Sequence, residues 1–133
     1  MPTLHLVATQ IAEPTTVPAP PGPTDLGVRS VFSDDLRDKN TNALVGQHTG
    51  ECVLVRKNPN MWLCHAGFIL PKGELIAEVL SDEAPKWTSA ILGGTDDYDK
   101  VRGQIRGEYI PGTGPPNPNP LKTDYTIKIR VHP

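Results

Sequence analysis

Apolar and polar positions along this chain alternate in short runs with a period of two, and turn residues separate the runs. The clearest run is Tyr125–Val131, where Tyr125, Ile127, Ile129 and Val131 alternate with Thr126, Lys128 and Arg130. Successive strand side chains point to opposite faces, so this pattern predicts a strand with one apolar face. Val45–Val55 predicts another, with Gly46, His48, Gly50, Cys52 and Leu54 on one side and Gln47, Thr49, Glu51, Val53 and Val55 on the other. Glycine inside a strand marks a bend or a close approach by another group. Two glycines four residues apart on one face suit a strand that curls around a narrow barrel.

Further strands are predicted over Leu4–Ala8, Val28–Leu36, Met61–Leu70, Glu74–Leu80, Trp87–Leu92 and Val101–Tyr109. Val28, Ser30, Phe32, Asp34 and Leu36 share a face of the second of these. Asp38–Asn42, Lys57-Asn58-Pro59-Asn60, Pro71-Lys72-Gly73 and Gly93-Gly94-Thr95 are turn signals between them, and Asp96–Lys100 is a charged corner. No window shows a helical period of 3.6 residues. Many short strands and no helix predict an all-β domain. About eight strands close an antiparallel β-barrel of the size that holds one small ligand, and closure removes exposed sheet edges.

Composition sharpens this picture. A chain of 133 residues fits one barrel domain, 1–133. Ten of its fifteen prolines fall in two clusters, 13–23 and 111–120. Neither cluster suits a helix or a central strand. The first reads as an extended, polyproline-like connection that could cover the barrel mouth. A net charge of −2 without a basic cluster lacks the footprint of a nucleic-acid binder. No apolar run is long enough for a membrane helix. No secretory signal is visible at the N-terminus, so a cytoplasmic location is expected, with both cysteines as free thiols. Cys52, Cys64 and His65 do not have the spacing of a metal site, and no nucleophile elbow or phosphate loop is present. Neither a metal nor a cofactor is expected.

Several motifs together resemble the allene oxide cyclase and dirigent-protein superfamily. They are Phe32-Ser33-Asp34-Asp35-Leu36, Val45-Gly46, Gly50-Glu51-Cys52-Val53-Leu54-Val55, Gly93-Gly94-Thr95 and Arg102-Gly103. The cysteine-bearing segment is similar to the cyclase branch and the others to the dirigent branch, over residues 28–110. The resemblance implies an eight-stranded barrel and homodimers or homotrimers. It also implies a hydrophobic cavity that holds a reactive molecule in one conformation while a few polar groups steer its closure.

By the same resemblance Asp34 falls at a pocket aspartate of the dirigent branch, Cys52 at the cavity cysteine of the cyclases and Arg102 at the dirigent arginine. The glutamate that faces this cysteine in the plant cyclases has no clear counterpart, with Thr9, Gln10 and Glu13 nearest in sequence. Asp34, Arg102 and Cys52 are therefore the candidate catalytic residues. Phe32, Trp62, Phe68, Trp87 and Tyr98 are the candidate substrate-binding aromatics, with core or subunit packing as their ordinary role.

The function expected is that of a cofactor-free cyclase or isomerase acting on a hydrophobic natural-product intermediate. A dirigent-like protein that orients intermediates made elsewhere, or a small-molecule carrier, are the alternatives. Ile127, Ile129 and Val131 are expected to suit subunit packing if they face outward.

Overall fold

The computed structural model describes residues 3–11, 15–17 and 26–131, with only the backbone for 15–17 and 131. Nine strands follow in chain order: β1 (Thr3–Gln10), β2 (Thr15–Val17), β3 (Arg29–Asp38), β4 (Leu44–Arg56), β5 (Met61–Leu70), β6 (Gly73–Ser81), β7 (Lys86–Gly94), β8 (Val101–Tyr109) and β9 (Lys122–Val131). One 3-10 turn, Asp96–Tyr98, interrupts the series, and no described helix is long and apolar enough to cross a membrane. Neighbours from β3 to β9 pair antiparallel in sequence order, and β1 pairs with both β9 and β3. That last pairing closes an eight-stranded barrel. β2 lies within the first proline-rich segment; the rest of 13–23, with Glu13 and the expected cover over the mouth, falls outside the described residues.

β1 and β2 share β3 between them. β1 pairs with Asp34–Asp38 and β2 with Arg29–Val31, so each covers one half of the same edge. The pairing register shifts at Leu36/Arg37, Leu54/Arg56 and Ile76/Ala77. An extra residue at each place sharpens the local twist, as a small barrel requires.

The interior has two ends of different character. Leu6, Leu36, Leu70, Leu75, Val101, Ile105, Ile127 and Ile129 fill one end, each 8% exposed or less. The 3-10 turn folds across it and contributes Tyr98 to the same core. Backbone bonds from Thr95 to Glu74 and from Asp97 to Lys72 hold that turn in place. Burying each large aliphatic side chain stabilises by about 1.5–3 kcal/mol, so this end is the anchor of the fold. Ile127 and Ile129 belong to this core rather than to an outer contact face. The register of β9 against β1 and β8 turns their side of the strand inward.

The other end is open, and the second proline-rich loop stands beside it. Ile110 bonds to Lys122, Gly114 to Asn119, and the Thr113 hydroxyl donates to the Ile110 carbonyl, so the loop is tied back on itself. Gln10 bonds to Leu121 and links the loop's end to β1.

Candidate active site

A cavity of about 240 Å³ occupies the open end of the barrel. Ligand sites commonly run from about 300 to 1,000 Å³, so this one suits a small molecule of one or two rings. Its floor is built by register. Asp34 on β3 lies opposite His48 on β4, and His48 lies opposite Phe68 on β5. The three inward side chains therefore meet as one row across the barrel wall.

His48 is 3% exposed and lies nearly parallel to Phe68, with ring centroids 4.3 Å apart at 24°. Its Nδ1 stands 2.7 Å from Asp34 Oδ2. A carboxylate only accepts, so Nδ1 carries the proton of this bond, and in the neutral ring Nε2 is then the acceptor. Nε2 makes no protein hydrogen bond among the described residues, where no buried side-chain nitrogen or oxygen is left unpartnered. It must therefore open on the cavity. Tyr125 closes the far side, edge-on to His48 at 5.2 Å and to Phe68 at 5.3 Å.

Two phenols face the same space. Burial first, then the Asp34 charge and then Tyr109, push the Tyr125 hydroxyl far above its ordinary pKa. Burial and then Asp34 raise Tyr109 in the same direction. Both phenols thus stay protonated and serve as hydrogen-bond donors. Phe32, Trp87, Ser30, Ser89 and Thr123 complete much of the wall, and Gln10, paired with Asp34 across β1 and β3, lies at its edge.

Glycine makes room for two of the aromatic walls. Phe32 faces Gly50 across β3 and β4, and Trp87 faces Gly107 across β7 and β8. A Cβ on Gly107 would lie 2.6 Å from the indole ring, and one on Gly50 would lie 2.8 Å from Phe32 Cζ. A side chain at either glycine would collide with the ring that faces it, and at Gly50 with the His65 carbonyl as well.

The expected site residues divide. Asp34, Cys52, Phe32, Phe68 and Trp87 line the cavity. Arg102 points away from it, because Val101 and Ile105 occupy the inner face of β8; its guanidinium donates to the Val101 carbonyl at the surface. Trp62 donates to Glu83 at the exposed edge of the barrel, and Tyr98 sits in the closed end.

The expectation of free thiols is corrected. Cys52 and Cys64 stand directly opposite on β4 and β5, with Cα atoms 4.0 Å apart, and form a disulfide in the cavity wall. In that state Cys52 offers no thiol.

His48, Tyr109 and Tyr125 were not singled out by sequence. The signal existed for two of them: His48 shares its face with Cys52, and Tyr125 leads the apolar face of β9.

Comparison with known proteins supports the fold. No family model and no curated protein sequence matches this chain. Among solved structures it is similar to "Pyocyanin demethylase" at 24% identity and a TM-score of 0.76, covering 96% of this chain and 99% of that one. It is also similar to the pterocarpan synthase dirigent protein PsPTS1, at 15% identity and a TM-score of 0.76, over 99% and 96% of the two chains. The Diels Alderase AbmU from Streptomyces koyangensis matches at 15% identity and a TM-score of 0.74, over 98% of this chain and 65% of that one. The chain thus has the eight-stranded barrel fold shared by dirigent proteins and cyclases.

Proposed function

We propose that the protein is a cofactor-free cyclase or isomerase that binds a small reactive hydrophobic intermediate in the barrel and directs its stereoselective ring closure. The observation that carries this reading is the Asp34–His48 pair set among aromatic walls, with two neutral phenols facing the same space. That barrels of the same fold include a Diels Alderase and a dirigent protein agrees with it.

Each part has a chemical task. The aromatic walls hold a flexible molecule with its reacting ends together, and such positioning contributes up to about 7–11 kcal/mol in favourable cases. Asp34 fixes the ring and tautomer of His48, whose Nε2 accepts a proton from the substrate or holds a water against it. The Tyr125 and Tyr109 hydroxyls donate to a carbonyl or enolate oxygen as charge builds there. A positioned base contributes about 10²–10⁴-fold and one well-placed donor about 10²–10³-fold.

The test is a gene deletion in the source organism, followed by chiral chromatography and mass spectrometry of its metabolites. Loss of an isomerising enzyme leaves a species of unchanged mass and shifted retention, which the purified protein then converts. His48→Gln should slow that conversion by about 100-fold or more while the barrel stays folded. A racemised coupling product in place of the isomer would favour the dirigent reading. An unaltered metabolite profile, with no conversion by the pure protein, would refute catalysis.

A further inference from the structure

The charge of the cavity restricts what enters it. All thirteen lysines and arginines of the chain lie within the described residues, and none lines the cavity. On the strands they occupy the outer face, as Arg29 does beside Glu51 and Lys86 beside Glu108. Among the described residues two carboxylates border the cavity, Asp34 and Glu78. Glu78 turns its carboxylate to His65, 3.4 Å away, so Asp34 is the acid that addresses the interior.

Asp34 has a spare acceptor. Its Oδ2 takes the bond from His48, whereas Oδ1 has no protein partner among the described residues and is not a buried orphan. Oδ1 therefore opens on the cavity. Around it stand the rings of Phe32, Phe68, Trp87, Tyr109 and Tyr125. Aromatic faces carry negative potential and attract cations placed over them, most strongly when water is excluded. With the His48 ring neutral, a carboxylate and π faces with no opposing lysine or arginine complement positive charge and oppose negative charge.

We infer that the substrate of this site carries a delocalised organic cation, such as an iminium, rather than a carboxylate or other anion. The inference rests on the cavity being the binding site of the function proposed above and specifies its substrate class. In this arrangement Asp34 neutralises the cationic nitrogen while the aromatic walls surround it, and the phenols remain free to donate to an oxygen elsewhere on the molecule.

Three probes of matched shape test this by titration calorimetry at pH 8 on the whole protein: N-methylquinolinium, 1-methylnaphthalene and 1-naphthoate. The expected order is cation, hydrocarbon, anion, with the cation about tenfold tighter than the hydrocarbon. Asp34→Asn should abolish most of that preference. If this variant does not fold, Trp87→Leu replaces it, and its loss should be larger for the cation than for the hydrocarbon.

Equal affinities, tightest binding of naphthoate, or a preference untouched by both substitutions in folded protein would each overturn the inference. The outcome is separable from the question of catalysis. Probe ranking needs no turnover, and absence of turnover in the metabolite assay leaves the ranking standing.

Discussion

Gly107→Ala measures how closely the cavity wall is fitted. The new Cβ would stand 2.6 Å from Trp87 Cε2 and Cζ2 and 2.8 Å from Nε1. Carbon pairs rest at about 3.5–4.0 Å, so the indole must retreat by about 1 Å. Gly107 backs one side of the ring, and the retreat is toward the cavity and Tyr125. Overpacking of this kind costs about 1–3 kcal/mol, while replacing a strand glycine by alanine returns about 0.5–1 kcal/mol. Gly67→Ala supplies the control, because its Cβ would meet only Ile76 Cδ1, at an ordinary 3.7 Å. The backbone gain is common to both, so the difference between the variants isolates the contact at about 1–3 kcal/mol, with Gly107→Ala the less stable.

Urea unfolding gives the stabilities. In a Trp62→Phe background Trp87 is the sole remaining tryptophan, so its emission reports the displaced ring. Equal stabilities together with unchanged Trp87 emission would refute the packing argument.

Other expectations follow from the same interior. The Cys52–Cys64 bond spans 12 residues, and loop-closure entropy assigns it about 3 kcal/mol. The Cys52→Ala/Cys64→Ala protein should unfold at lower urea and match the wild type under reductant, and a wild type indifferent to reductant would contradict the bond. Tyr125, raised above the ordinary phenol value of 10.0 first by burial, keeps its proton when folded and loses it more readily when unfolded. Its contribution is therefore fully present below pH 10 and is lost as pH rises beyond it. Tyr125→Phe should lessen the alkaline loss of stability, and identical alkaline slopes would show that Tyr125 is not the group responsible. Asp38 is held below its usual pKa by backbone bonds from Thr41 and Asn40 in the β3–β4 turn. That support is present above the ordinary value of 3.8 and disappears as pH falls, so an Asp38→Ala protein should lose the acid-dependent protection of the Asn40 and Thr41 amides in hydrogen exchange.

The chain by itself determined the strands and their faces. Alternation is a local property, because the pleat turns each side chain opposite to its neighbour. Tyr125, Ile127 and Ile129 against Thr126, Lys128 and Arg130 already divided β9 into the two faces that the barrel uses. Asp34 shared a face with Phe32 and Leu36, and His48 shared one with Cys52, before any pairing was known. Prolines and glycines marked the turns for the same local reason, through their restricted or permissive backbones.

Which face became the interior was a different matter, since alternation distinguishes two sides without saying which is inside. Ile127 and Ile129 turned inward and Arg102 outward once β8 and β9 were paired and the barrel had closed. Closure itself depended on β1 meeting both β9 and β3, contacts between segments far apart in sequence. Cys52 and Cys64 became bonded partners because the β4–β5 register set them opposite each other. Asp34 and His48 met by the β3–β4 register in the same way. The site is thus a product of strand pairing: each residue's face was written locally, and its partners were supplied only by the folded barrel.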